Sequence, residues 1–375
     1  MELQAIIARA LDEDNYVLVS SIDLSSAFDV VNIKLLLKRL RIIGLPDDVI
    51  DLIKVWLENR FYYVSIDGKN SVLFDLLLGT VQGSVLGPVL YAIFVSPIFD
   101  IDDMLAFADD NFITQIHSSK NSLITNMEKA LESITKWMKK SGLKVNESKT
   151  ELCLFFKRDC TPLTLRIGGA MITSKNTMNV LGILFDTKLN WKAQVQKTIL
   201  KASKALNGIK LVRRYFTEKE TLMLLTSNFY SILYYNSDVW LMHSLNQQCK
   251  KQLMTASSNA LKVANNYRYP FSSYLALHNR AKRATPEMLT NYKLAISLFN
   301  LYNSRIQSSE WINMNFQQVF TSRQICFHVN RNNRLNVGMN ALSNRLHSLN
   351  DKIKLEWLNL TYNAYKVACK KLFLN

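Results

Sequence analysis

The chain has 375 residues, 48% hydrophobic and 20% charged, a balance that supports a folded core of roughly two or three domains and excludes a disordered polymer. Five scattered cysteines (Cys153, Cys160, Cys249, Cys326, Cys369) with no C-x-x-C spacing exclude a disulfide scaffold and a structural zinc site. The charge is uneven: residues 1–190 hold 20 basic and 23 acidic side chains, and residues 191–375 hold 26 and 7, so a net of −3 is joined to one of +19. A general basic bias would explain the total but not this asymmetry. A near-neutral half carrying a strongly basic one points to a catalytic part that carries a polyanion-gripping part.

In chain order, 3–11 reads as a helix and 16–23 as a Val-rich strand with Asp23 at its carboxyl end. Helical apolar spacing recurs over 33–43 and 48–57, the second opened by Pro46-Asp47-Asp48. Strands over 61–66 and 72–78 are joined through Asp67-Gly68, a hairpin signature. Gly79-Thr80-Val81-Gln82-Gly83-Ser84 then forms a glycine-punctuated loop, with Ser84 placed to cap an apolar helix over 85–99. That helix is interrupted by Pro88 and Pro97 and is too short to span a membrane. The acidic N-terminus has no signal-peptide layout, so a soluble protein without membrane association is expected.

Strands over 104–108 and 112–116 meet at Asp109-Asp110, an acidic hairpin tip. An amphipathic helix over 121–140 stops at Ser141-Gly142, and strands follow over 151–156, 163–167 and 180–185. From Trp191 the period is helical: Val195, Ile199, Ala202, Leu206 and Ile209 share one face, and Lys197, Lys201 and Lys204 line the other. Such a stripe is either the wet side of a helix or a track for a phosphate backbone. Residues 217–375 read as helices with aromatics, among them Tyr230, Trp240, Tyr267, Tyr292, Trp311 and Trp357, whose period places most of them in a core.

The first half is thus an α+β arrangement, an antiparallel sheet backed by helices, with a mostly helical second half. The expected domains are 1–190, a basic helical 191–265 and a C-terminal 266–375. Adjacent aspartates at a turn repel by roughly 4 kcal/mol at ~4 Å and an effective dielectric near 20. Either the turn is simply solvated, or a cation sits there. Asp23 tips the reading to a cation: with Asp109 and Asp110 it makes a trio that can hold two Mg²⁺ ions for phosphoryl transfer. Neighbouring strand residues point to opposite faces, so Asp23 and Asp109 are expected as the main ligands.

Four blocks, Asp23-Leu24-Ser25-Ser26-Ala27-Phe28-Asp29, the run from Gly79 to Pro88, Phe107-Ala108-Asp109-Asp110 and the run from Gly142 to Thr150, resemble in order and spacing the palm motifs of reverse transcriptases. The Q-G-S-x-L-G-P and G-L-x-x-N-x-x-K-T blocks are most similar to those of non-LTR, LINE-type retrotransposons of the jockey kind. The run from Asn179 to Asp186 resembles the family's primer grip, which includes Leu181 and Gly182.

The resemblance implies a polymerase palm, RRM-like or ferredoxin-like, followed by a helical thumb. It implies an RNA-directed DNA polymerase using two Mg²⁺, with Mn²⁺ as a substitute, held by Asp23, Asp109 and Asp110. Its partners would be an RNA template, a DNA primer, a dNTP and another element-encoded protein, and its place the nucleus, with the cytoplasm as well. Phe28 falls on the aromatic steric gate and, with Ala27, Gln82 and Gly83, on the nucleotide site. Lys149 falls on the lysine that protonates leaving pyrophosphate. Read from the residues alone, Phe28 also fits a core position and Lys149 a surface lysine opposite Glu147 or Glu151.

Val81, Ser26 and Asn111 depart mildly from the family's proline, lysine and threonine. Against the family pattern the chain starts just ahead of the first palm strand, so a fragment without fingers, endonuclease or Cys/His knuckle is expected. A binding module for RNA or hybrid duplex without catalysis therefore stays open. A nucleotide cyclase would also present paired aspartates, but it needs a Gly-Gly hairpin tip and leaves the basic half unexplained.

Overall fold

The computed structural model describes residues 2–24, 28–100, 104–158, 161–167, 169–241, 245–268, 271–303, 317–321, 324–328 and 362–374. The chain divides into two compact units, residues 14–181 and residues 1–13 together with 182–375. The first helix, α1 (Glu2–Asp12), belongs to the latter.

Unit 14–181 is built on strand β1 (Tyr16–Ile22). Helices α2 (Ile33–Ile42) and α3 (Asp47–Leu57) follow. Asn32 starts α2 by accepting the Leu35 backbone N–H at 3.1 Å, and Ile33, Leu36, Leu37 and Leu40 then fall on its buried face. Four short strands, β2 (Phe61–Tyr62), β3 (Ser65–Ile66), β4 (Lys69–Asn70) and β5 (Phe74–Asp75), form one interrupted hairpin turning at Asp67-Gly68, at φ +50° and +78°. The second expected strand, 72–78, thereby shrinks to two residues, and every side chain from Phe61 to Leu78 is exposed.

Helix α4 (Leu86–Val95) is shorter than the sequence period implies. The last turn before Asp100 tightens to a 3-10 helix, Ser96–Asp100, because Pro97 cannot continue the α-helical ladder. Strands β6 (Met104–Phe107) and β7 (Asp110–His117) make the acidic hairpin. Then come α5 (Lys120–Ser141), ended by Gly142 at φ +76°, and β8 (Glu151–Phe155).

The sheet order is β6-β7-β1-β8, antiparallel throughout. One face, with Leu18, Ile22, Ile113, Leu152 and Leu154, joins a core that includes Leu36 and Leu40 of α2, Phe94 of α4, and Met127 and Ile134 of α5. This is the expected sheet backed by helices. Val17, Val19, Cys153 and Phe155 on the other face are also buried, which is why Val17, Leu18 and Val19 of β1 are apolar without alternation.

Strands β9 (Thr164–Ile167) and β10 (Ala170–Thr173) pair as a hairpin; β10 lacks a strong alternation and escapes sequence reading. The single strand expected over 180–185 is in fact two, β11 (Thr177–Val180) and β12 (Ile183–Asp186), interrupted at Leu181-Gly182, where φ is +47° and +85°. A glycine inside a strand pattern is the mark of such a break.

Among its described residues the second unit is helical apart from β12 and the pair β13 (Gln317–Thr321) and β14 (Gln324–His328). The helices after β12 are α6 (Lys192–Val212), a 3-10 turn and α7 (Glu218–Leu224), a π-helical turn over Leu225–Tyr230 with α8 (Ser231–Leu233), α9 (Ser237–Trp240), α10 (Gln247–Ala264), α11 (Tyr274–Arg280), α12 (Pro286–Asn303) and Tyr362–Leu374. Tyr230 and Trp240 are core residues as their period implies, whereas Tyr267 is half exposed; Trp311 and Trp357 lie outside the described residues. Among the described residues no helix is long and apolar enough to cross a membrane.

Entry into α6 depends on Asp186. Its buried carboxylate accepts the backbone N–H groups of Lys188 (3.2 Å), Asn190 (2.9 Å) and Trp191 (2.7 Å), holding Trp191 at φ +62°. Asp186→Ala leaves these donors without partners and should cost about 2–3 kcal/mol in urea unfolding. A loss below about 0.5 kcal/mol would show that the turn holds itself.

Candidate active site

The antiparallel register of β1 on β7 sets Ile22 opposite Asn111, so one step further sets Asp23 opposite Asp110. Phe107 pairs with Asp110 across the β6–β7 hairpin, leaving Ala108 and Asp109 as a two-residue turn with Ala108 at φ +55°. The buried Asn111 closes that turn, its side-chain amide donating to the Asp109 carbonyl at 2.8 Å. Asp109 is therefore a turn residue rather than a strand residue, and strand alternation does not govern its direction. Asp110 is the acid that the register brings across from Asp23.

The three carboxylates sense one another. Burial pushes the Asp110 carboxyl above its usual range, and the charges of Asp109 and then Asp23 push it the same way. The backbone of Asp23 is fixed from another side: Leu24 bridges to Val145, and the Asn146 N–H donates to the Asp23 carbonyl at 2.8 Å. The Asn146 carbonyl in turn accepts from the N–H groups of Lys149 and Thr150 at 3.1 and 3.0 Å, a tight turn that carries Lys149. Lys149 Nζ lies 3.7 Å from Asp23 Oδ2. Its alternative partners are engaged elsewhere, Glu147 by the Gly169 N–H and Glu151 by Lys175, each at 2.7 Å.

The glycine loop docks on the turn after Asp23. Gly79 N–H donates to the Val31 carbonyl (2.8 Å) and Thr80 N–H to the Phe28 carbonyl (2.9 Å). A Cβ on Gly79, which sits at φ +85°, would lie 2.8 Å from the Asp29 carbonyl oxygen, so only glycine allows this approach. Gln82 Nε2 donates to Asp29 Oδ1 at 2.6 Å, and Gly83 is a second left-handed glycine at φ +76°. Ser84 Oγ accepts the Gly87 N–H at 2.9 Å and so caps α4 as expected. Phe28, half-buried, stacks at 4.3 Å between ring centroids on Tyr91, a residue that the sequence marks only as part of an apolar helix. Ala27 lies outside the described residues.

In the second unit, the sequence-predicted lysines on α6 are exposed while Val195, Ala202, Leu206 and Ile209 are buried and Ile199 is partly so. Lys197 donates to the Gly182 carbonyl at 3.2 Å, so the stripe begins against the Leu181-Gly182 turn. Burial, and next the neighbouring Lys201, hold the Lys197 ammonium below its usual range. A Cβ on Gly182 would lie 3.2 Å from the Tyr235 ring.

Residues 2–185 match the family described as reverse transcriptase (RNA-dependent DNA polymerase). Over that segment, just under half of its length, the chain carries a reverse transcriptase domain match. The chain is similar to the RNA-directed DNA polymerase from mobile element jockey of Drosophila melanogaster, 27% identical over 197 residues, which is 50% of this chain and 21% of that protein. It is likewise similar to the probable RNA-directed DNA polymerase from transposon X-element of the same fly, 29% identical over 50% of this chain and 22% of that one. The chain thus spans about a fifth of the length of these curated relatives. Among solved structures, apo telomerase from Candida tropicalis aligns at a TM-score of 0.38 and 15% identity, over 83% of this chain and 56% of that chain.

Among the described residues, no three His, Cys, Asp or Glu side chains are gathered closely enough to cage a metal ion unaided. The donor chemistry still fits a hard divalent cation: carboxylate oxygens only, mutually repelling, one of them partly desolvated. Mg²⁺ is commonly bound by one or two carboxylates, with substrate phosphates and waters completing its shell.

A carboxyl with a raised folded-state pKa favours the folded chain only while protonated, and its ionisation subtracts stability as pH rises through that value. Without divalent ions, Asp110→Asn should therefore raise the thermal midpoint at pH 7, and the gain should vanish below the free-aspartate pKa of about 3.9. Equal midpoints for parent and variant at pH 7 would contradict the charge crowding.

Proposed function

We propose that the chain is an RNA-directed DNA polymerase of a non-LTR retrotransposon, extending a primer 3′-hydroxyl on an RNA template with dNTPs. The observation that carries the reading is the convergence of Asp23, Asp109 and Asp110 from separate segments, with Lys149 beside them. Asp23, Asp109 and Asp110 would hold the pair of Mg²⁺ ions, with Mn²⁺ as a substitute. When bound, such ions activate the attacking oxygen and neutralise charge on the leaving pyrophosphate.

Everything else is the work of the protein's own side chains. Lys149 supplies a proton to the departing pyrophosphate from its place beside Asp23. Phe28 crowds the position of a ribose 2′-hydroxyl. Asp29, the nearest acid that could accept that hydroxyl, is instead engaged by Gln82, which supports discrimination against ribonucleotides. Gln82, Gly83 and Ala27 line the incoming nucleotide, Leu181 and Gly182 grip the primer, and Lys197, Lys201 and Lys204 track the backbone of the hybrid. The implied domains are a palm over 1–190, a thumb-like 191–265 and a C-terminal 266–375, acting in the nucleus with another element-encoded protein.

Primer extension on a homopolymer RNA template tests this directly. The parent should give Mg²⁺-dependent product, and Asp109→Ala should lose at least about three orders of magnitude, the scale of one essential electrostatic group. A parent without metal-dependent product would leave only a nucleic-acid-binding module. Mg²⁺ should also raise the parent's thermal midpoint by mass action, and not that of Asp23→Asn/Asp109→Asn. Replacing Lys197, Lys201 and Lys204 by Ala should flatten the log–log salt dependence of hybrid binding by about 2–3 in slope, at ~0.9 per phosphate contact. An unchanged slope would return the stripe to the role of a solvated helix face.

A further inference from the structure

The backbone of Phe28 and its ring are held by different parts of the first unit. The backbone is pinned by the glycine loop, through Thr80 N–H to the Phe28 carbonyl at 2.9 Å, and the next side chain, Asp29, is held by Gln82 of the same loop at 2.6 Å. The ring keeps its rotation about its own bonds and meets one large neighbour among the aromatic side chains, Tyr91, at 4.3 Å between centroids and 32° between planes. Tyr91 is 2% exposed and packed in the main core, whereas Phe28 is only partly buried and keeps an open side. The Tyr91 hydroxyl is buried with no hydrogen-bond partner among the described residues, so what this side chain offers Phe28 is its ring.

We infer that Tyr91 is a positioning residue for Phe28: its ring is the backstop that sets how far the Phe28 ring projects toward the incoming sugar, and so how strongly ribonucleotides are excluded. The inference rests on the reading of Phe28 as the sugar gate. The mechanism is steric. A gate discriminates only if it cannot retreat when a 2′-hydroxyl presses on it, and a close-packed ring behind it removes the space for retreat. With Tyr91 shortened to an aliphatic side chain, the Phe28 ring can tilt back into the vacated volume.

The test is the ratio of kcat/KM for a deoxynucleotide to that for the matching ribonucleotide, measured on the full chain with an RNA template and a DNA primer. Tyr91→Leu should lower this ratio about three- to tenfold, the scale of one lost aromatic contact. Tyr91→Phe keeps the ring and should hold the ratio within about twofold, whatever it does to either constant alone. Tyr91→Met, nearer in volume, carries the same expectation as Leu if the Leu variant does not fold, as read by thermal unfolding.

Phe28→Val separates the two layers of the argument and should lower the ratio by about tenfold or more. In Phe28→Val/Tyr91→Leu the ratio should equal that of Phe28→Val alone, because Tyr91 acts through a ring no longer there. If Phe28→Val lowers the ratio but Tyr91→Leu and Tyr91→Met reduce both constants in parallel, Tyr91 is only a structural core residue and the inference is overturned. Multiplying losses in the double variant overturn it as well, as does a Tyr91→Phe effect as large as that of Leu. An unmoved ratio in Phe28→Val overturns the gate and the backstop together, and a parent that extends no primer does the same.

Discussion

Antiparallel pairing of β1 with β7 forces carboxylates from distant parts of the chain onto one edge of a sheet, and the rest of the first unit works to hold them there. The strands are locked by apolar side chains a few residues away: Leu18, Ile22 and Ile113 on the helix-backed face, Val17, Val19 and Phe155 on the other. Like charges at such range repel by a few kcal/mol, roughly 4 at ~4 Å in a medium of effective dielectric near 20. That is comparable to burying one or two large aliphatic side chains at about 1.5–3 kcal/mol each. The core can bear the repulsion, which adds to burial in raising the Asp110 pKa. Lys149 relieves part of it from outside, its Nζ 3.7 Å from Asp23 and its side chain well exposed.

Around this centre the contacts are made mostly by backbone. The loop from Gly79 approaches the turn after Asp23 so closely that a Cβ has no room, and Arg60 ties the base of that loop by donating to the carbonyls of Leu57, Leu78 and Gly79. Backbone anchoring makes the site stiff without filling it, and it leaves the side chains of Phe28, Gln82 and Lys149 as the adjustable parts. In the second unit, Gly182 likewise admits close packing, here against Tyr235, while its carbonyl receives Lys197. A cation partly desolvated and paired to a carbonyl is a more directional group than a lysine standing in water.

Much of this was legible in the residues. β1, α2, α5 and β8 fall within a residue or two of their expected ends, because each carries a strong period, and α2 and α5 have a distinct start at Asn32 and stop at Gly142. Misreadings gathered where local signals compete. Leu181-Gly182 breaks what reads as one apolar strand, β10 has no strong alternation to announce it, and Pro97 tightens the end of an apolar helix. In the site, Asn111 looks like a mild departure from a family pattern and Tyr91 like core filling. The hold of Asn111 on the Asp109 carbonyl appears only once the turn is formed, and the contact of Tyr91 with Phe28 exists only across the fold.

From the order and spacing of its residues alone, the chain declared its family, its acidic centre, its glycine loop and the division of charge between its halves. All of these are written in residue type and periodicity. Which acid stands opposite Asp23, which glutamates leave Lys149 to it, what Gln82 holds and what stands behind Phe28 were decided by tertiary structure. Strand register and side-chain packing join residues tens of positions apart, and no local pattern encodes that distance.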